Sequence, residues 1–202
     1  MKNIKFFPLA CLAATAFLTT AFTVIKLGVT NAKVDTQNSI VIWTGYKKTG
    51  KHFGTVNVKS GSLQLTDDRL TGGSFEIDMN SIKNTDLDGE FAQKLVEQLK
   101  SDEFFGVAQH PVARFVITRI IPQGSKDYKI IGNITIKETT KEVKFFANVT
   151  SSGNQVNANG KLTIDRSEFN VHFGSGSFFD GLSDKTIYDE FDLEMKLVAT
   201  KE

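Results

Sequence analysis

From Asp189 to Leu197 apolar and charged residues alternate: Phe191, Leu193, Met195 and Leu197 fall between Glu190, Asp192, Glu194 and Lys196. A period of two places one set on each face of a β-strand. The same period recurs along most of the chain. Ile40, Ile42 and Thr44 alternate with Val41 and Trp43, and Val56 and Val58 flank Asn57. Further rows are Phe75, Ile77 and Met79; Ala113, Phe115 and Ile117; Tyr128, Ile130, Gly132, Ile134 and Ile136; Val143, Phe145, Ala147 and Val149; and Val156, Ala158, Gly160, Leu162 and Ile164. Turn signals separate them at Ser60-Gly61, Thr66-Asp67-Asp68, Pro122-Gln123-Gly124 and Ser151-Ser152-Gly153-Asn154. Connections this short join antiparallel neighbours. About eight such strands predict an all-β domain, an antiparallel barrel or sandwich.

One segment departs from that period. Phe91, Leu95 and Leu99 recur at intervals of four, with Asp88 as N-cap and Glu90 in the first turn. The spacing predicts one amphipathic helix over residues 89–100, placed to plug or cap a barrel end. Residues 173–184 form an irregular Gly- and Ser-rich stretch that carries Phe178 and Phe179. Such a pair is expected to fold back over something apolar.

The chain opens with Lys2 and Lys5, then runs 20 residues from Phe6 to Ile25 without a charge. This predicts a signal peptide over residues 1–32, cleaved after Ala21 or Ala32, with export to the periplasm or cell envelope. An uncleaved anchor holding the domain near a membrane is the alternative. The mature domain is then residues 33–202. The first 33 residues hold four lysines and no acid; setting those aside leaves 20 basic and 23 acidic residues, a net charge of −3. That balance gives no electrostatic reason to seek a nucleic acid or an anionic lipid surface. The sequence leaves the oligomeric state open, monomer or dimer.

Little here suggests catalysis. The lone cysteine, Cys11, lies in the leader, which removes disulfides and thiolate chemistry from the domain. His52, His110 and His172 show no metal-ligand spacing. No G-x-S-x-G, P-loop or dinucleotide fingerprint occurs. Asp86, Asp88 and Glu90 imitate the start of a calcium loop but lack its terminal Glu. Arg166, beside Asp165, reads as an ion pair fixing the next loop or as an anion contact near a ligand. Phenylalanine is abundant, 17 in all and 13 beyond the leader. Gly72, Gly132 and Gly160, on strand positions, are expected to leave room inside.

Several stretches resemble the YceI-like family, lipocalin-like polyisoprenoid-binding proteins of the bacterial envelope. They are Ser39 to Gly45; Thr49-Gly50-Lys51-His52-Phe53-Gly54; Gly72 to Ile82; Leu99-Lys100-Ser101-Asp102-Glu103-Phe104-Phe105 with His110-Pro111; and Leu162-Thr163-Ile164-Asp165-Arg166. The resemblance runs from about Val34 to Ala199. It implies an extended, eight-stranded lipocalin-like barrel with an apolar pore holding an isoprenoid-type lipid, with no catalytic set and no metal. On that reading the ligand contacts are Trp43, His52, Phe53, Phe75, Ile77, Phe115, Ile117, Phe145, Phe173, Phe178 and Phe179. Two other functions fit the same residues: a quinone-linked redox partner or enzyme, and a filled barrel that only interacts with other proteins.

Overall fold

The computed structural model describes residues 28–202. Nine antiparallel strands make one closed sheet: β1 (Val29–Val34), β2 (Ile40–Lys47), β3 (Gly50–Thr66), β4 (Arg69–Asn84), β5 (Val112–Pro122), β6 (Asp127–Ile136), β7 (Thr139–Ser152), β8 (Gln155–Asp165) and β9 (Ile187–Lys201). The helix α1 (Gly89–Lys100) lies between β4 and β5. Consecutive strands from β2 to β9 are neighbours, and β2 pairs with β9 to close the barrel. Closure pairs strand with strand around the barrel and so reduces the edge that could recruit another chain.

Nine strands occupy eight positions around the barrel. Between β3 and β9, β2 fills one half of the gap and β1 the other: β2 pairs with Gly50–Asn57, β1 with Ser62–Thr66. At the join, Asp35 accepts from the amides of Gln37 (2.9 Å) and Asn38 (3.2 Å), turning the chain. The Ser39 hydroxyl then donates to the Val198 carbonyl and accepts from the Val198 amide, at 3.2 and 2.9 Å. One side chain thus stands in for the backbone pair that the join interrupts. The domain boundary expected at residue 33 falls inside β1, since Val29 to Ala32 are already in the sheet. The rest of the expected leader, residues 1–27, lies outside the described residues.

The alternating rows point inward as their period demands. Val156, Ala158, Leu162 and Ile164 on β8, and Met195, Leu197 and Ala199 on β9, are buried. The turn expected at Ser60-Gly61 is instead a bulge within β3, where the register against β4 slips between Val58 and Ser60. The slip moves the inward set from Val56 and Val58 to Leu63 and Leu65. A Cβ on Gly61 would stand 2.7 Å from that of Phe75, so the strands approach too closely there for a side chain. Thr66-Asp67-Asp68 does turn, with Asp67 and Asp68 at φ of 49° and 62°, the left-handed pair that a tight hairpin needs.

The helix occupies the expected residues. Asp88 holds the N-cap position, but its side chain makes no capping hydrogen bond. Glu90 pairs with Lys94 across one turn at 2.7 Å. After Lys100 the chain reverses: the amides of Gly106 and Val107 donate to the carbonyls of Ser101 and Lys100. This reversal carries Phe104 and Phe105 back over the barrel. By strand direction, α1, residues 101–111 and residues 166–186 gather at one end, here called the mouth. The turns after β1's partner β3, after β5 and after β7 lie at the other end.

The candidate ligand cavity

An apolar cavity of about 120 Å³ opens at the mouth. Its walls are Val41, Trp43 and Gly45 of β2, Val56 of β3, Ile77, Met79 and Ile82 of β4, Ala113 of β5, Ile134 and Ile136 of β6, and Ile187, Tyr188, Phe191 and Leu193 of β9. Leu99 of α1, Phe104, Phe105 and Arg166 roof it. A second space of about 40 Å³ continues inward, bounded by Phe75, Phe115, Phe145, Leu162 and Met195. Val41, Ile77, Ala113, Ile134 and Leu193 border both, so the two are successive chambers of one blind channel.

Three phenylalanines floor the channel. The rings of Phe75 and Phe115 lie 5.2 Å apart and those of Phe115 and Phe145 lie 5.7 Å apart. Their sockets are glycines. A Cβ on Gly132 would fall 2.7 Å from Phe115 Cε2, and one on Gly160 would fall 3.0 Å from Phe145 Cε2. The room expected from Gly132 and Gly160 is therefore taken by these rings, and that of Gly72 by the Gln64 side chain. Below the floor Leu65, Leu70, Tyr128, Ile130, Val149 and Val156 are buried.

The roof is held by Arg166, which is only 2% exposed. Its guanidinium donates to the carbonyls of Val171 (2.9 Å), Tyr188 (3.1 Å) and Ile187 (3.1 Å). It lies 3.2 Å from Asp189 Oδ1, close enough to pair in charge but not aligned to hydrogen-bond. Its carbon centre stands 5.4 Å from the Phe104 ring centroid, a cation–π distance. Burial pushes the guanidinium's pKa down, against the opposing pull of Asp189 and Asp165. The charge is committed to closing the loop over the mouth, the ion-pair role expected for it.

The residues expected from the sequence divide. Trp43 and Ile77 line the upper chamber, and Trp43 is held by its indole N–H donating to the Lys83 carbonyl at 3.1 Å. Phe75, Phe115 and Phe145 form the floor and face one another as well as the lower chamber. Ile117 lies further along β5, beyond the floor, and packs into the core. Phe53 faces outward, because it alternates with the buried Val56 and Gly54 set. His52 does not line the cavity: its Nδ1 is 2.8 Å from Asp86 Oδ2, which ties β3 to the entry of α1. Asp86 also accepts from the Phe53 amide at 2.8 Å and the Asn84 side chain at 2.6 Å. Gly54, the second residue after His52, admits the Lys83 carbonyl and the Trp43 ring. Phe173, Phe178 and Phe179 lie at the mouth but outside the cavity wall, with Phe178 stacked on His172 at 3.7 Å. The residues that sequence reading missed are mainly Phe104, Phe105, Leu99 and Phe191. Their signal was present: two adjacent aromatics follow directly on an amphipathic helix.

Apart from Arg166 and the half-exposed Tyr188 above, and Arg114 beside the lower chamber, the residues of these walls are apolar. The space can exclude water and hold apolar matter.

Comparisons with known proteins agree on one assignment. The YceI-like domain family matches residues 33–199. A UPF0312 protein of Shewanella denitrificans is 27% identical over 100 residues, 50% of each chain, so the match spans half the length of that relative. Among solved structures, Burkholderia cenocepacia BcnA is 25% identical, with a TM-score of 0.63 over 83% of this chain and 99% of that one. A polyisoprenoid binding domain from Saccharophagus degradans, implicated in plant cell wall breakdown, is 15% identical, with a TM-score of 0.62 over 85% and 98%.

Proposed function

This chain belongs to the YceI-like domain family, and on that basis we propose that it binds a long-chain apolar lipid, of the isoprenoid or isoprenoid-quinone class, and carries or stores it in the cell envelope. The observation that carries the reading is the blind channel, walled almost wholly by hydrocarbon and open at one end. The polyisoprenoid-binding fold relative supports the ligand class. Apolar contact alone gives useful affinity, because burial is worth about 25 cal/mol per Å². The charge-free run after Lys5 supports the location.

The upper chamber, at about 120 Å³, is near the size of an engineered cavity of roughly 150 Å³ that stays dry and takes benzene. It holds the end of a chain. A longer stretch enters only if α1 and Phe104-Phe105 swing outward, since the Phe75–Phe115–Phe145 floor stops it from going deeper. Arg166, already neutralised, does not select an anionic head group.

Extraction of lipid from protein purified out of its own envelope, followed by mass spectrometry, tests the reading. A bound isoprenoid is expected; a co-purifying chromophore would identify a quinone. Ile77→Trp, at the junction of the chambers, should abolish that lipid with an unchanged melting midpoint of the lipid-free protein. No lipid in the parent, together with a midpoint drop matching about 1–3 kcal/mol of overpacking, would show the interior to be core and the carrier reading to be wrong.

A further inference from the structure

Gly45 differs from the glycines that seat the floor. A Cβ placed on Gly45 meets no atom within 4 Å, whereas one on Gly132 or Gly160 meets a phenylalanine ring at 3.0 Å or less. Its φ lies outside the left-handed region, so the backbone does not require a glycine there. In β2 it continues the inward row of Val41 and Trp43 and borders the upper chamber. The wall beside it is broken. Gly45 pairs with Phe191 and Lys47 with Ile187, so the single Tyr46 of β2 faces three residues of β9, Tyr188 to Glu190. On the other side β8 ends at Asp165, opposite Glu190, and gives Tyr188 and Asp189 no ladder partner. A bulge of this kind at a barrel rim interrupts the ladder and turns the strand aside.

The break has a space on each side. Within the barrel is the upper chamber. On the flank, a groove of about 600 Å³ is lined by Tyr46, Thr163, Ser177, Thr186, Glu190 and Asp192. Ile187 and Tyr188 border both spaces. The inner one is hydrocarbon and the outer one polar. The hydroxyls of Tyr46 and Thr163 donate to Asp192 at 2.9 and 2.6 Å, and that of Ser177 donates to Asp189 at 2.6 Å. Those protons are spent, so the groove has oxygen acceptors left to offer. The other way out, over the roof, is fastened. Besides the bonds of Arg166, Lys137 Nζ donates to the carbonyls of Phe104 and Asn170 at 3.3 and 3.2 Å. Lifting Phe104 breaks charge-assisted hydrogen bonds, whereas passing Gly45 displaces only the half-exposed Tyr188 side chain.

We propose that an apolar chain enters and leaves the upper chamber sideways, past Gly45 through the β2–β9 break, and that its polar head lies in the flank groove. This rests on the carrier reading and adds to it the route and the seat of the head. The upper chamber holds only a chain's end, so the remainder has to lie outside it, and the groove is the polar space that adjoins the break. A head that donates hydrogen bonds, a hydroxyl or an amide, suits the acceptors there. Gly45 then sets the width of the gap, because a hydrogen stands where any other residue would place a side chain.

The chain has one tryptophan, Trp43, and it stands in the chamber wall. Quenching of its fluorescence by 11-bromoundecanol therefore reads occupancy of the chamber. The route is read with N-dodecyl bromoacetamide, whose head alkylates a thiol and loses bromide. The protein is the full chain with Cys11→Ser and one new cysteine, either Glu190→Cys in the groove or Glu103→Cys in the roof turn. Each labelling rate is divided by the rate with bromoacetamide, which has no tail. Both readouts sit at the mouth, so a probe held elsewhere on the chain counts in neither. The ratio at position 190 should exceed that at 103 by about tenfold or more, since a seated tail raises the local concentration of its head. Gly45→Leu should abolish the quenching and bring the ratio at 190 down to that at 103. It should not lower the melting midpoint of the ligand-free protein, because the added side chain enters open space. A higher ratio at 103, or Gly45→Leu binding as the parent does, overturns the proposal. So does a lowered midpoint, which would show the space beside Gly45 to be filled. No quenching in the parent sinks the carrier reading and the route with it, whereas quenching with equal ratios sinks the route alone.

Discussion

Gly132 shows what a strand sequence discloses and what it withholds. A glycine among Ile130, Ile134 and Ile136 announces missing volume. It does not say which neighbour claims that volume, because the claimant, Phe115, comes from another strand. Read alone, Gly132 and Gly160 suggest an open pore; in the barrel they are sockets for the rings that close it. Gly132→Ala should therefore cost about 1–3 kcal/mol, as the Phe115 ring is forced from its site. The double variant Gly132→Ala with Phe115→Leu should recover part of that loss and deepen the channel. Thermal denaturation of the three lipid-free proteins checks this; equal midpoints for Gly132→Ala and the parent would mean that the ring yields freely. The same limit hid Phe104 and Phe105. Their apolar pairing is plain in the sequence, but the reversal at Ser101–Gly106 that aims them inward is a matter of backbone.

Strands with full alternation were legible, and so was α1, because periods of 2 and 3.6 are properties of the chain itself. Two features that depend on partners were not. Ser60-Gly61 has turn composition, yet β4 runs alongside it and makes it a bulge. In β1 only Ala32 and Val34 are buried, too short a row to register as a period. Its place comes from pairing: Val29 to Lys33 against Thr66 to Ser62, and Ala32 to Val34 against Lys201 to Ala199. A protein that begins at Lys33 loses most of that pairing and exposes Leu63 and Leu65. It should melt well below one that begins at Phe22, the first residue left by cleavage after Ala21. Cleavage between Ala32 and Lys33, the other expected site, would produce the weaker form. N-terminal sequencing of the envelope protein with calorimetry of both lengths checks this, and equal stability would remove β1 from the folding unit.

Two carboxylates tie neighbouring elements together, Asp192 across β2, β8 and β9 and Asp86 between β3 and the entry of α1. Asp192 of β9 accepts from Thr163 of β8 (2.6 Å) and Tyr46 of β2 (2.9 Å) and pairs with Lys161 of β8 (3.0 Å). The Thr163 hydroxyl, then Lys161 and Tyr46, hold its pKa below the ordinary 3.8 despite some burial. At Asp86 burial pulls upward, but His52, the Phe53 amide and Asn84 together bring the net below 3.8. A depressed folded value means that the folded state binds its proton less readily than the unfolded chain. The stabilisation is complete above 3.8 and is lost as pH falls through the lowered values. Asp192→Asn should thus lower the melting midpoint at neutral pH, and the gap to the parent should narrow on acidification below 3.8. A gap constant with pH would show that the Asp192 charge contributes nothing.

The fold and its apolar interior were readable because a closed alternating sheet must enclose its apolar set. The cavity's depth was not, since it is fixed by how three rings from three strands meet. A last consequence follows from where the chain enters. β1 begins beside Thr66, while the mouth lies by Gly50 at the other end of the same 17-residue strand. At about 3.3 Å per residue and a tilt near 40°, that separation is roughly 40 Å. A leader kept in the bilayer would moor the protein by its closed end, with the opening directed toward the far side of the compartment. Removing the leader frees the molecule to turn over. On the proposed export, processing would therefore also decide whether the opening can turn back toward the bilayer that held the leader.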